Sequence, residues 1–486
     1  MSDLSIGESV VRPLTSSNAL YRAVWRWHFY AGLLVLPFLI SLSITGALYL
    51  FHNEIEGIVY RDLKSVERPA GAASLAPSTL IAAASAAQPG TVVKFTTPST
   101  SEQSAEITMQ TDAGEKLAVY VDPYSGAVLG TLPDRGTIMW TVRYLHSLKF
   151  FGSVARACIE ISAGWSILLV ATGIYLWWPR RQRGGVVTVR GKPKQRIFWR
   201  DVHAVTGISV GVFLVFLAFT GMPWSGVWGG KVNEWANGNN FGYPAGVRVS
   251  VPMSGEELNS VAPTSWSMEQ AKMPSSHMPG MAHSPHTSET MGEHDMSTHT
   301  TTMAHDMHAS VVNAPSIGID TAVETLNVLG LTQGYAVNLP QSPSGVYTGS
   351  IYPADVEKQR VVHLDQYSGK PLIDMSYADY GPLGRWLEWS INVHLGQQFG
   401  LANQLVLLVV CLAIVLLAVS AGVMWWKRRP EGKLGVPPLP QDRRVFRGLL
   451  LLLFAGGVVF PLVGLSFVVM LALDIALTRG FRLNLA

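Results

Sequence analysis

The sequence predicts a membrane protein, with an α-helical base of four to five transmembrane helices built from a duplicated unit and two α+β modules outside the bilayer. Three observations carry this. Hydrophobic residues make up 48% of the chain and charged residues 14%, with a mean hydropathy of +0.25, which is too apolar for an ordinary soluble domain. Apolar runs of about 20 residues or more, enough to span a bilayer, cover 29–50, 159–178, 205–224, 405–426 and 449–477. The chain is also written twice. His28 is followed by Gly32 and Thr45-Gly46, and His203 by Gly207 and Thr220-Gly221, at steps of 4 and 18 residues in both. Tyr144-Leu145-His146 precedes Trp177-Trp178, and Asn392-Val393-His394 precedes Trp425-Trp426, with 31 residues from His to the first Trp each time. An internal repeat in an apolar chain points to paired membrane halves around a shared site.

In chain order, residues 1–27 form a cytoplasmic N-terminus and 28–52 the first span. The apolar run of that span is too long for a signal-peptide core and no small-residue cleavage site follows it, so it reads as a retained anchor. Residues 53–145 form the first soluble module. It has a helix-forming stretch at 77–87, alternating runs at 92–95, 105–110 and 117–121, and the turn Asp122-Pro123-Tyr124-Ser125-Gly126 before a short strand. An outer helix and the second span occupy 146–178, a basic loop 179–202, and the third span 203–224. Residues 225–318 are an insertion, and 319–393 form the second module with its own turn, Asp365-Gln366-Tyr367-Ser368-Gly369. An outer helix plus the fourth span fill 394–426, and a second basic loop fills 427–447. The run 448–478 reads as a fifth span kinked at Pro461, with a re-entrant pair of helices as the alternative.

Basic residues orient the chain. Eight Lys or Arg fall in 179–200 and seven in 427–447, whereas the long soluble segments are sparse in them. Positive charge stays in the cytoplasm, which puts both soluble segments outside, and the C-terminus outside as well after a fifth span. The net charge of +3 then reflects topology and gives no reason to expect nucleic acid; the bilayer itself is the expected partner. Cys158 and Cys411 both lie in apolar runs, without CxxC or CxxCH, which excludes covalent c-type haem and a cysteine zinc site.

The insertion has an unusual composition. The second copy carries 68 extra residues before its soluble module, and between Met273 and His308 they include seven His and seven Met. The candidate metal ligands are His277, Met278, Met281, His283, His286, Met291, His294, Met296, His299, Met303, His305, Met307 and His308. Thioether and imidazole together suit copper, and the surrounding Ser, Thr, Pro, Gly and Ala predict a loop.

The repeated histidines carry the main functional reading. A lone interfacial His is most often a capping or snorkelling residue. Here His28 and His203 repeat at the cytoplasmic ends of helices, and His146 and His394 repeat just before the second and fourth spans. Ionisable groups at membrane depth are costly and mark function, and neutral imidazoles paired across helices hold non-covalent haem. The glycines four residues after His28 and His203 would admit a macrocycle or a neighbouring helix. His52, at the outer end of the first span, is a fifth candidate without a match. Two pairings are open: one outer haem between His146 and His394 with one inner haem between His28 and His203, or one haem per half.

Together the Trp-His…Gly…Thr-Gly start, the Asp-Pro-x-Ser-Gly turn, the Leu-His…Phe-Gly stretch and the Trp-Trp-Pro-Arg-Arg stop resemble the PepSY-associated transmembrane proteins, also called iron-regulated inner-membrane proteins. The resemblance covers about residues 20–480. It implies two PepSY-like modules in the periplasm on a helical base in the bacterial inner membrane, and some members are similar to ferric-siderophore reductases that bind haem b. Carried onto this chain, it implies haem near His28, His146, His203 and His394. The Met/His insertion departs from the family pattern.

No GxGxxG, P-loop or HExxH is visible, and no cytoplasmic segment is long enough for a flavin or nicotinamide domain. Electrons must therefore come from quinol or a separate cytoplasmic reductase. The expected activity is a haem-dependent metalloreductase acting on a ferric siderophore. A copper-handling protein or cupric reductase, and a non-catalytic regulatory or metal-binding protein, are the alternatives.

Overall fold

The structure, a computed structural model, describes residues 16–179, 185–243, 253–276, 315–431, 435–437 and 443–483. Its helices in chain order are α1 (Ser16–Tyr49), α2 (His52–Val59), α3 (Arg61–Lys64), α4 (Pro77–Ala87), α5 (Ile138–His146), α6 (Gly152–Trp177), α7 (Arg196–Gly221), α8 (Trp228–Gly238) and α9 (Leu258–Val261). After these come α10 (Gly318–Val328), α11 (Pro382–His394), α12 (Gly400–Arg428), α13 (Arg443–Val459) and α14 (Pro461–Leu483).

Four of these helices are long and apolar enough to cross a membrane: α1, α6, α7 and α12. They pack as a ring, α1 on α6 and α12, and α7 on the same two, so that α1 faces α7 across one diagonal and α6 faces α12 across the other. Small side chains set this packing. A Cβ on Gly32 would meet Leu169 at 4.0 Å and one on Gly207 would meet Leu417 at 3.4 Å, so these glycines admit a neighbouring helix. At mid-depth the ring is filled by Val210, Leu214, Val410 and Ile414, with Leu39 and Val170 against them.

The strands of the two soluble segments form one sheet. Strands β1 (Thr91–Thr96), β2 (Ala105–Gln110), β3 (Lys116–Val121) and β4 (Val128–Pro133) come from the first segment. A separate pair, β5 (Met253–Glu257) and β6 (Lys272–Pro274), belongs to the insertion. Strands β7 (Ala336–Asn338), β8 (Val346–Ile351), β9 (Arg360–Asp365) and β10 (Pro371–Ser376) come from the second segment. The two predicted modules do not stand apart. Antiparallel pairing of β1 with β7, Phe95 opposite Val337, joins them into the order β10-β9-β8-β7-β1-β2-β3-β4. Such pairing satisfies the backbone groups of what would otherwise be two open edges. Helices α4 and α10 cover one face with a single core, which includes Leu80, Phe95, Ile107, Val323, Leu326 and Val362.

Both expected turns form by the same chemistry. The Asp122 carboxylate accepts from Tyr124 N at 2.9 Å and Ser125 Oγ at 2.6 Å, and Gly126 takes φ +73°. Asp365 accepts from Tyr367 N at 3.0 Å and Ser368 Oγ at 2.9 Å, and Gly369 takes φ +69°. These are Asx turns closed by a left-handed glycine.

Three expectations need correction. The run 448–478 is the alternative pair of helices and not one kinked helix: α13 and α14 meet at Phe460 and fold against each other, with a Cβ on Gly457 only 2.6 Å from Gly464 Cα. Pro461 removes a helix donor, and the two glycines allow the backbones to touch. Asp474 of α14 pairs with Arg26 of α1, and Tyr30 donates to the same carboxylate at 2.5 Å, which returns α14 to the end of the bundle where α1 begins. The C-terminal arm therefore ends on the side of the basic loops. Second, α1 and α7 start well before their histidines, so His28 and His203 lie inside the helices. Third, the outer helices end at His146 and His394, and a break with Leu148 at φ 51° and Gly152 at φ 84° separates α5 from α6.

Candidate functional site: two layers of histidines

Each repeated histidine is held through Nδ1 by a partner on a helix of its own half. At the sheet end of the bundle, His146 Nδ1 lies 2.9 Å from Thr45 Oγ1 and His394 Nδ1 lies 2.8 Å from Thr220 Oγ1. At the basic-loop end, His28 Nδ1 lies 2.9 Å from Thr172 Oγ1, and His203 Nδ1 lies 3.0 Å from Leu417 O and 3.3 Å from Ser420 Oγ.

The direction of these bonds follows from the next partner along. Thr45, Thr172 and Thr220 donate their own hydroxyl protons to helix carbonyls at 2.6 Å (Ser41 O), 2.7 Å (Leu168 O) and 2.8 Å (Phe216 O). Each hydroxyl can then only accept from the imidazole, and Leu417 O is an acceptor by nature. All four rings are thus fixed as the Nδ1–H tautomer, which leaves an unprotonated lone pair on every Nε2. No Nε2 hydrogen bond to any of the four is present among the described residues. Donation from the second ring nitrogen is how proteins orient a metal-binding histidine and raise its basicity.

The rings pair by layer. His28 and His203 are close enough to interact electrostatically, and so are His146 and His394. His28 and His203 stand on the diagonal helices α1 and α7, and His146 of α5 and His394 of α11 are held on Thr45 and Thr220 of the same two helices. Glycines make room for the rings: a Cβ on Gly46 would sit 3.5 Å from His146 Cε1, one on Gly221 3.7 Å from His394 Cε1, and one on Gly173 3.4 Å from His28 Cε1. Seventeen residues separate His28 from Thr45, and His203 from Thr220, so the layers lie about 25 Å apart along the helices. The mid-depth apolar cluster fills the space between them.

His52 belongs to neither layer. It stacks on Tyr49 with centroids 4.7 Å apart, and its Nδ1 bonds Tyr49 O at 2.9 Å. Met273 begins the Met/His-rich stretch but is buried in β6 against Met268, Met375 and Tyr380. The thirteen candidate metal ligands from His277 to His308 lie outside the described residues. The described residues on either side of that segment meet at Gln366: its N donates to Ser276 Oγ at 3.0 Å, and Ile317 N donates to its O at 2.9 Å. Among the described residues no three His, Cys, Asp or Glu side chains converge as a metal site, and both cysteines are free thiols.

Sequence reasoning missed the hydroxyl partners. Thr45 and Thr220 were visible only as repeat markers, and Thr172 and Ser420 not at all, although each stands five residues before its Trp-Trp pair. It also missed Glu388 of α11. This buried carboxyl accepts from Trp266 N at 2.6 Å. Burial pushes it up to about 7, against the opposing effect of the Trp266 and Ser267 N–H groups.

A pair of imidazoles with free Nε2 lone pairs, near one another at one depth of a helix bundle, can hold a metal centre from two sides. Two such pairs at opposite depths give two centres. Among curated proteins none matches the chain. The family described as the PepSY-associated TM region matches residues 25–428, from just before His28 to the end of α12, and the chain belongs to that family.

Proposed function

We propose that the chain is a haem b oxidoreductase of the bacterial inner membrane, built from a duplicated unit, that passes electrons to a ferric chelate in the periplasm. The observation that carries the proposal is the common tautomer of His28, His146, His203 and His394, with every Nδ1–H engaged and every Nε2 lone pair free. A capping or snorkelling histidine needs no such fixed tautomer, and it needs no partner across the bundle. Haem b, when bound, supplies a one-electron couple. His146 and His394 would hold it at the sheet end, and His28 and His203 at the other end.

The protein's own contribution is orientation and dryness. Thr45, Thr172, Thr220 and Ser420 set the rings, and Val210, Leu214, Val410 and Ile414 keep water out between the layers. The positive-inside rule places the basic loops in the cytoplasm and the sheet in the periplasm. Quinol, or a separate cytoplasmic reductase, would supply electrons at the inner layer. Purified protein with b-type haem bands, reduced by dithionite and re-oxidised by a ferric siderophore, is the expected result. Colourless protein that takes up no added haem would instead support a non-catalytic role.

One observation favours a second, copper-directed role for the Met/His-rich segment. The described residues that flank it, Ser276 and Ile317, are both held at Gln366, so the segment leaves and rejoins the chain's described part at the sheet. Copper capture there would feed or accompany the same electron path.

A further inference from the structure

The two halves differ at one place that matters for an acceptor, the helix leading into the outer histidine. Six residues before His146 stands Trp140, and six before His394 stands Glu388. In the same register Arg143 is matched by Ile391, Tyr144 by Asn392 and Lys149 by Gln397. The second half is covered: Trp266 of the insertion bonds Glu388 and packs on Leu387, and Asn392 is buried. The first half is open, with Arg135, Arg143 and Lys149 exposed on α5 and its flanks.

Those cations form a ladder with aromatic rings. The Arg143 and Arg135 guanidiniums lie 4.8 and 5.4 Å from the Trp140 ring centroid, and the Lys149 ammonium lies 5.0 Å from that of Tyr144. Trp140 and Tyr144 meet edge to face at 5.8 Å. Asp134 approaches Arg135 at 3.8 Å, but among the described residues no carboxylate is within ion-pair distance of Arg143 or Lys149. Two guanidiniums sharing one ring, with a third cation beside them, make a site of concentrated positive charge that a polyanion would neutralise. Arg143 is also close enough to His146 to act on its ring electrostatically. The exposed Phe150 and Phe151 follow at the head of α6, which puts the ladder just above the bilayer edge.

We propose that this face, formed by Arg135, Trp140, Arg143, Tyr144 and Lys149, docks a polyanionic aromatic ferric chelate of the tris-catecholate class. The proposal rests on the function argued above and names the substrate class and its landing place. The chelate's anionic charge pairs with the guanidiniums and ammonium, while its rings stack on Trp140 and Tyr144. With haem b bound, its ferric ion would be reduced to ferrous by one electron, the haem iron being oxidised from ferrous to ferric. The cationic face works against free Cu(II) as the ligand here.

The test is equilibrium dialysis of the full chain in nanodiscs of zwitterionic lipid, against redox-inert gallium(III) tris-catecholate, with neutral gallium(III) tris-hydroxamate as the comparison. The tris-catecholate should bind, added salt should weaken it, and R143Q/K149Q should weaken it tenfold or more. W140L should weaken it without changing the salt dependence. Equal binding by wild type and R143Q/K149Q, or equal binding of the neutral chelate, overturns the proposal. So does a variant that loses only its retention on phosphatidylglycerol vesicles, because the face would then be a lipid contact. Gallium binding needs no haem. Haem-free protein that binds the chelate through Arg143 therefore leaves this site standing while the oxidoreductase reading fails, and haem-loaded protein that does not bind it gives the reverse.

Discussion

Replacing Thr45 with valine keeps the shape of the side chain and removes the acceptor that holds His146 Nδ1–H at 2.9 Å. The donated bond to Ser41 O at 2.6 Å is lost too, but that carbonyl lies within a helix, so the cost falls mainly on the imidazole. A buried N–H left without a partner costs about 1–3 kcal/mol. Loss of a partner behind a metal-binding histidine weakens metal affinity about 10–100-fold, or about 1.4–2.7 kcal/mol. The two estimates agree, so T45V and T220V should each weaken one haem site by that amount, read by titrating haem into apo-protein and following the b-type bands. T172V and S420A should act on the other site. Coupling gives the sharper result. T45V with T220V should be non-additive because both act on one layer, and T45V with T172V should add. Strict additivity of T45V with T220V would mean that His146 and His394 serve separate sites, one in each half, and would refute the layered arrangement.

Two buried groups in the soluble region set opposing pH dependences. Burial raises Glu388 from 4.5 to about 7, so stability present at low pH is lost as pH rises through about 7, by up to about 3 kcal/mol; E388Q, which keeps an acceptor for Trp266 N, should abolish this in thermal melts of the full chain. Burial lowers His363, which bonds Thr348 at 2.9 Å, from 6.5 to about 4, so its contribution is present above pH 6.5 and lost as pH falls through about 4; H363N should flatten that acid limb. Deleting residues 277–314 should leave the haem bands intact and weaken copper binding, measured by competition with a moderate chelator, because the segment leaves and returns at Gln366. A phosphatase reporter should be active after Gly126 or Gly369 and silent after Gly184, and silent too after Leu483, because α13 and α14 form a hairpin.

What the sequence revealed and what it hid divide along local and non-local physics. The spans at α1, α6, α7 and α12 follow from apolar length alone, and the Asp122 and Asp365 turns from residues within one turn of each other. The four histidines were legible because spacing repeats survive in one dimension. The β1–β7 pairing was not, because it joins Phe95 to Val337 and nothing in either strand names its partner. The hairpin at Phe460 stood only as the alternative because apolar periodicity is the same for one helix or two, and the contacts of Gly457 with Gly464 and of Asp474 with Arg26 distinguish them. The tautomer-setting hydroxyls were hidden because Thr and Ser in apolar helices usually bond their own backbone, as these also do.

The central claim, two metal-holding layers of paired histidines, is tested most directly by counting haem in purified chain and in single-layer variants. The proposal predicts two b haems in the wild-type chain, with H146A or H394A each removing or spectrally shifting one, and H28A or H203A the other. Full haem retention in all four variants, or loss of both haems together from every one of them while the protein stays folded, would contradict the assignment.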